Sequence, residues 1–401
     1  MKYPGQLKNI YFRKLWFSDI LVGSADNMEM IIISWVIISK TNSGLLLGIY
    51  GAIRFFSTVF APLFGSIIDR FNKKTTISIS RSYMLIHSII FLIFSLQNIL
   101  TTFNIIFITF FYGIARTSDR ISREALTQIL IKKKDLRNAS GIIRATMDFT
   151  KIISPVIGAM VYTNFGLNSS YFIISILYIG SLIVIYPINI DNINNQKLNL
   201  YKEILSGVKY LADNKTLISL ISFAALVNFT VFTMANAYLP FISKNILNGD
   251  ANNLALLNAF TSIGALIGSI IISTNNFTNT PGKFLILFIF IWHILMFGTS
   301  LFTIQIIIVC LLILFGISSS ITMINMSVLI LSISNKNMIG RVIGIRQLAI
   351  FTLPIGLIIS GYMIDQIGII LSIQIISIIG IIISIILTFK SKTLLSYRNT
   401  D

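Results

Sequence analysis

Two carboxylates three residues apart, Asp26 and Glu29, interrupt the first long apolar run of this 401-residue chain. On a helix that spacing puts both on one face. A charged group at the centre of a membrane helix costs about 2.5–3.5 kcal/mol on insertion scales, so it faces a cavity or a partner. Two acids this close repel when both are ionised, which gives the pair a physical basis for exchanging a proton. The competing reading is an ordinary ion pair. Candidate cations are Arg54, near the middle of the second apolar run, and Arg144 and Lys151 of the fifth run, which step with the acid Asp148 along one face at spacings of four and three. Arg116 stands near the end of the fourth run, with Asp119, Arg120, Arg123 and Glu124 just beyond. This second group reads as a gate-like network, or as loop-end charge with no functional part. Ionisable residues are nearly absent from the later runs. There Asn228 and Asn236, with Phe232, Met234, Tyr238, Met323, Asn325 and Met326, are the candidates to line a cavity, although packing is the alternative for each.

The elements that must position these residues are membrane helices. The chain is 55% hydrophobic and 11% charged, against roughly 25% charged in soluble domains. Apolar runs of about 20 residues, the length that crosses a hydrocarbon core of ~30 Å, recur throughout. We place them at 15–39, 43–68, 75–96, 99–118, 141–163, 169–188, 216–240, 254–274, 283–302, 305–329, 342–364 and 368–389. Unpaired backbone groups are too costly in lipid for open strands. The expected fold class is therefore an all-α polytopic membrane protein with twelve transmembrane helices.

The formal net charge of +17 is a topology signal. Lys2, Lys8, Arg13 and Lys14 precede the first run, and the even-numbered gaps carry basic residues such as Arg70, Lys73, Lys74, Lys132, Lys133, Lys134, Arg137, Lys336 and Arg341, whereas the opposite gaps offer only Lys40 and Lys244. The positive-inside rule then puts both termini in the cytoplasm. Charge spread over short loops does not form a nucleic-acid face. The first run is too long for a secretory signal and is interrupted by acids, so it is expected to stay in the mature chain. A single cysteine, Cys310, excludes an intramolecular disulfide and a cysteine metal cluster, and we expect it to pack within a helix. His87 and His293 lie inside apolar runs and read as packing residues, with no metal motif. No phosphate-cradling loop or nucleophile triad is present, which disfavours an enzyme or an ATP-driven pump, and no cofactor is expected.

Two copies of one six-helix unit are suggested by echoes at a common offset. The segment 141–166 resembles 344–368, and GSII at Gly65 recurs at Gly268. We divide the chain into an amino-terminal bundle, 1–190, a cytoplasmic linker, 191–215, and a carboxy-terminal bundle, 216–401. Within the linker, Leu200, Ile204, Leu205, Val208 and Leu211 recur at helical spacing, which predicts a short amphipathic helix.

The decapeptide GSIIDRFNKK from Gly65 to Lys74 joins the second and third runs. With two six-helix halves it resembles the major facilitator superfamily, whose signature in this loop is matched by Gly65, Asp69, Arg70, Lys73 and Lys74. The resemblance implies that these residues form a conformational latch. The counterpart after Gly268, reading IISTNNF, lacks the Asp-Arg pair. SPVIGA, Ser154 to Ala159, resembles an export-associated element in the fifth helix in which Pro155 bends the helix and Gly158 permits close packing, though serine and alanine replace two glycines. The opening FRKLWFSDILVGSADNMEM resembles the branch containing macrolide and enterobactin exporters. These likenesses imply a monomeric secondary transporter of the bacterial cytoplasmic membrane, exporting an amphipathic drug, antibiotic or siderophore in exchange for protons or another coupling cation. Nutrient import, or a non-transporting membrane sensor, is the alternative.

Overall fold

The computed structural model describes residues 9–60, 71–132, 135–188, 209–274, 280–334, 342 and 349–396. Every regular element among them is helical. In the first part of the chain these are α1 (Ile10–Thr41), α2 (Gly44–Phe56), α3 (Lys73–Leu96), α4 (Thr102–Leu130) and α5 (Leu136–Ile185). The remainder comprises α6 (Lys215–Phe229), α7 (Ala251–Thr274), α8 (Pro281–Gly298), α9 (Gln305–Ile333), α10 (Thr352–Ile367) and α11 (Ile369–Lys390). Eight helices among the described residues are long and apolar enough to cross a membrane. The protein is thus a multi-pass, all-helical membrane protein, as its apolar runs require.

Helix starts follow from local chemistry. The Asn72 carboxamide oxygen accepts from the backbone N–H of Lys74 at 2.9 Å and caps α3. Asn214 does the same for α6, accepting from Thr216 and Leu217 at 3.1 Å each. Thr101 caps α4 through Asn104. Such caps satisfy amide donors that a helix start otherwise leaves unpaired.

The helix α5 contains 50 residues. At 1.5 Å per residue it would be about 75 Å long, more than twice a hydrocarbon core, so it must be two crossings. The break is Gly166, whose φ of 77° and ψ of −176° lie in a region open essentially to glycine alone. Gly368, between α10 and α11, adopts φ 81° and ψ 162°. The two glycines close the two echoing segments of the sequence, and their shared backbone conformation adds a structural match to that echo.

The chain forms two compact units, Met1–Trp35 with Phe60–Leu198, and Val36–Val59 with Asn199–Asp401. This division differs from the sequence-based boundaries in grouping the end of α1 and all of α2 with the later helices. In the first unit, Leu15, Ile77, Leu126, Ile185 and Ile188 bury one another and tie α1, α3, α4 and the end of α5 together. In the second unit, α2 packs on α10 through Gly44, Gly48 and Gly361. Small residues let helix backbones approach where lipid supplies no hydrophobic drive between helices.

Several expectations are sharpened or corrected. The fourth run extends to Leu130, because Thr117, Asp119, Ser122, Arg123 and Thr127 are buried against neighbouring helices, so the charges placed just beyond the helix lie within it. The seventh run leaves α-geometry after Phe229 and continues through wider π-helical turns at Met234–Tyr238 and Ile242–Ile246. Cys310 is exposed on α9 instead of packed. Gly65, Asp69 and Arg70 of the loop motif, the linker residues 191–208 and the segment 344–348 lie outside the described residues.

Candidate functional site

Three layers of polar side chains run along α1 in the first unit. Asp19 and Asp26 are seven residues apart, about 10.5 Å of helix rise, and Glu29 is about 4.5 Å further. Each acid meets a different partner from α3 or α4.

In the first layer Arg81 of α3 is completely buried. Its Nη2 donates to Asp19 Oδ1 at 2.6 Å and its Nε to Asp119 Oδ1 at 2.8 Å, while Nη1 donates to the Ser18 hydroxyl. Ser18 in turn donates to the Ser181 carbonyl at 2.7 Å. Arg123 Nε lies 3.8 Å from Asp19 Oδ2. Two acids and two guanidiniums balance, which is what makes so dry a cluster tolerable.

The second layer holds Asp26. Its Oδ1 accepts from the Tyr112 hydroxyl at 2.5 Å and its Oδ2 lies 3.1 Å from Arg116 Nε. The side chains of Arg116 and Asp26 are 32% and 18% exposed, against 11% and 5% for Arg123 and Asp19 of the first layer, so this pair is the more accessible of the two. Tyr112 also shares a hydrogen bond of 3.0 Å with Tyr178.

The third layer is Glu29, whose Oε1 stands 3.6 Å from His87 Nε2, both side chains fully buried. His87 lies between the rings of Phe91 and Tyr112, at centroid distances of 4.7 and 4.5 Å. Phe91 stacks on Tyr171 at 4.9 Å.

The expected fifth-run series does assemble. Arg144 Nε is 3.1 Å and Lys151 Nζ 3.6 Å from Asp148, with both cations exposed. Nearby, Trp16 Nε1 donates to Thr146 at 2.9 Å, joining α1 to α5. Pro155 is buried within the helix, and Gly158 packs against Met28, where an added Cβ would lie 3.0 Å from the backbone. Lys73 is buried at the start of α3, and the Lys74 ammonium sits 5.2 Å over the Tyr186 ring.

The group read as one gate network divides between layers. Arg116 belongs with Asp26, whereas Asp119 and Arg123 belong with Arg81 and Asp19; Arg120 is half-buried and Glu124 exposed on the same helix. Arg54 is buried in the second unit, where its Nη1 donates to the Tyr50 hydroxyl at 3.2 Å. Asn228 is buried and donates to the Ala224 carbonyl of its own helix at 2.8 Å. Asn236 is half-buried in the first π-helical turn, beside Gly51 of α2. His293 has both ring nitrogens engaged, with Thr230 and the Ile289 carbonyl at 2.8 Å each, and is structural.

Reasoning from sequence misses Asp19, Arg81, Tyr112 and Tyr178, and passes over His87 as packing. One signal is available for Asp19, since it falls two helical turns before Asp26 on the same face. Arg81 stands inside an apolar run, where an arginine demands partners.

Paired ionisable groups inside an all-helical polytopic fold, as the described residues show, are the arrangement that membrane transporters use. The chain belongs to the Major Facilitator Superfamily, whose family model matches residues 15–354. Among curated proteins, macrolide efflux protein A of Streptococcus pyogenes is 25% identical over 273 residues, covering 65% of this chain and 66% of that protein. Its namesake from Enterococcus faecalis is 24% identical over 221 residues, covering 53% and 67%. The chain's sequence similarity therefore lies with the macrolide efflux branch. Among solved structures, the nucleoside transporter NupG superposes with a TM-score of 0.76 at 12% identity, covering 97% of this chain and 100% of that one. A bacterial homologue of the human lysosomal transporter Spinster gives 0.73 at 11% identity over the full length of both. These likenesses carry the fold.

Proposed function

We propose that the chain is a proton-coupled exporter of amphipathic organic molecules, macrolide-type antibiotics first among them, with Asp26 as the acid that exchanges the coupling proton. The observation that carries this reading is the Asp26–Arg116 pair, which links α1 to α4 and is partly exposed where Glu29, three residues on, is fully buried. An acid in that position changes its partners with its charge. Ionised, it holds the guanidinium and accepts from Tyr112; protonated, it no longer attracts Arg116, and the helices that carry the two are free to separate. The similarity to macrolide efflux proteins supports outward transport, with a drug, antibiotic or siderophore as the cargo class.

The wider reading has twelve crossings in two bundles, 1–190 and 216–401, joined by the linker 191–215. Both termini lie on the cytoplasmic side of a bacterial membrane, and the monomer is the working unit. Gly65, Asp69, Arg70, Lys73 and Lys74 form the latch, and the halves rock about a midplane site. Arg54, Asn228 and Asn236, with Arg144, Asp148 and Lys151, contribute polar groups to the cavity.

The test is efflux of a radiolabelled macrolide from cells and from inverted vesicles, with and without an uncoupler. Wild type is expected to expel the drug only while a proton gradient stands, and Asp26→Asn to lose that dependence. Gradient-driven efflux that persists at full rate in Asp26→Asn would remove Asp26 from the coupling role, and accumulation in place of efflux would favour the importer.

A further inference from the structure

We propose that Lys151, with Arg144 and Arg116 beside it, forms a subsite in the first unit for the negatively charged group of an amphipathic organic acid. The inference rests on the reading of the chain as a transporter and adds a cargo class to it, organic anions beside the macrolides.

Contacts along α1 fix where Lys151 stands. Trp16 meets Thr146, Gly23 faces Thr150 and Met28 faces Gly158, so α5 runs parallel to α1 with Lys151 about level with Gly23. Asp26, which carries Arg116, is three residues further on, about 4.5 Å of helix rise. Lys151 also lies 15 residues, about 22 Å of helix, before the break at Gly166. A cation at that depth is not left facing hydrocarbon. Its surroundings agree, because the charges of Asp148, Arg144 and Arg116 all act on it, and Arg116 is held toward α1 by Asp26. Thr146, Thr150 and Gly158 turn one face of α5 to α1, and Arg144, Asp148 and Lys151 occupy the face beside it.

Charge then decides what the cluster accepts. Arg144 and Lys151 share the one carboxylate of Asp148, Arg116 is matched by Asp26, and Arg120 by Glu124 on the next turn of α4. Among these described residues one positive charge is left over. The accessible side is also the positive one, since Lys151 and Arg144 are 52% and 71% exposed while Asp148 is 24% exposed. Lys151 Nζ stands 3.6 Å from Asp148 Oδ1, longer than a normal N–H···O bond, whereas Arg144 Nε holds Oδ2 at 3.1 Å. The ammonium can therefore swing to an incoming oxyanion while Asp148 keeps Arg144 as its partner. A carboxylate arriving there brings the cluster to neutrality and gains a charge-assisted hydrogen bond. A cationic amine gains nothing at this subsite and must seat elsewhere.

Binding tests this apart from transport. The probe is dansylaminoundecanoic acid, a fluorescent amphipath, compared with its uncharged methyl ester and titrated onto the full chain in phosphatidylcholine nanodiscs. Wild type is expected to bind the acid about tenfold or more tighter than the ester, the worth of one hydrogen bond to a charged group. Lys151→Met should erase that preference with the ester's affinity unchanged, and Lys151→Arg should keep it. Asp148→Asn, which releases both cations, should strengthen binding of the acid alone, whereas a purely structural Asp148 would weaken acid and ester alike and count against the subsite. Equal binding of acid and ester by wild type, or a preference that survives Lys151→Met, would overturn the proposal. So would loss of the preference when phosphatidylglycerol replaces part of the phosphatidylcholine, because a lipid headgroup would then hold the subsite, and so would full displacement of the acid by inorganic phosphate, the mark of a site for small free anions. If cells expel neither the acid nor a macrolide, the exporter reading fails while the binding answer on Lys151 still stands.

Discussion

Asp365, in the last turn of α10, grips the start of α2 at Gly44. Its Oδ1 accepts from the Gly44 N–H at 2.5 Å, and its Oδ2 accepts from the Ser43 hydroxyl at 2.8 Å and the Leu45 N–H at 3.0 Å. A carboxylate here satisfies amides that a helix start leaves unpaired and sits at the positive end of the helix dipole. The grip is possible because Gly44 and Gly361 bring the two backbones together. A Cβ built on Gly44 would fall 2.5 Å from the Gly361 carbonyl oxygen.

Removing that carboxylate should therefore loosen the start of α2. Asp365→Ala is expected to lower stability by about 1–2 kcal/mol and Asp365→Asn by less, since the amide keeps one acceptor. Hydrogen exchange at Gly44 and Leu45, read beside thermal unfolding in detergent, checks both. Unchanged exchange at these two amides would show that the cap does not hold them.

Bulk at the same crossing acts differently. Gly44→Val meets backbone and cannot be relieved by a side-chain rotation, so a loss of about 1–3 kcal/mol is expected, with the α2–α10 contact displaced. Crosslinking between cysteines placed at Leu45 and Tyr362 should weaken in step. Full crosslinking together with wild-type stability would contradict the packing.

Arg81 offers a sharper loss. Both of its carboxylate partners are buried, so Arg81→Met leaves two acids with only the Arg123 guanidinium beside them and should cost about 3–5 kcal/mol or prevent folding. Arg81→Lys should rescue little, because an ammonium cannot reproduce the fork that reaches Asp19, Asp119 and Ser18 at once. Yield of monodisperse protein and melting temperature report the outcome, and a lysine variant as stable as wild type would argue against the geometry.

Gly166 and Gly368 make a matched pair. Alanine at either is expected to cost about 1–3 kcal/mol, because a Cβ is strained at φ near +80° even where the surrounding space is open. Equal losses at the two positions, measured by thermal unfolding, would support descent of both segments from one repeated unit.

Much of the architecture is legible in the residues. The apolar runs mark the helices because lipid allows the backbone no other way to satisfy itself, and Asn72, Thr101 and Asn214 mark helix starts through side chains that accept locally. The acids of α1 are legible as well, since an ionisable group in such a run stands out against its neighbours. Their partners are not. Asp26 pairs with Arg116, which by sequence groups with the charges that follow it on α4, and Glu29 faces His87, which by sequence reads as packing.

Hydropathy and short-range spacing act along one helix, so the chain alone establishes a polytopic helical protein and the face on which each charge lies. Which charge meets which depends on helix rotation and on contacts between segments as far apart as Asp26 and Arg116, or Asp365 and Gly44. Those depend on the packing of whole helices, which only the tertiary structure settles. The same packing separates a half-open acid at position 26 from a dry one at position 29, although three residues and one helical face are all that distinguish them in the sequence.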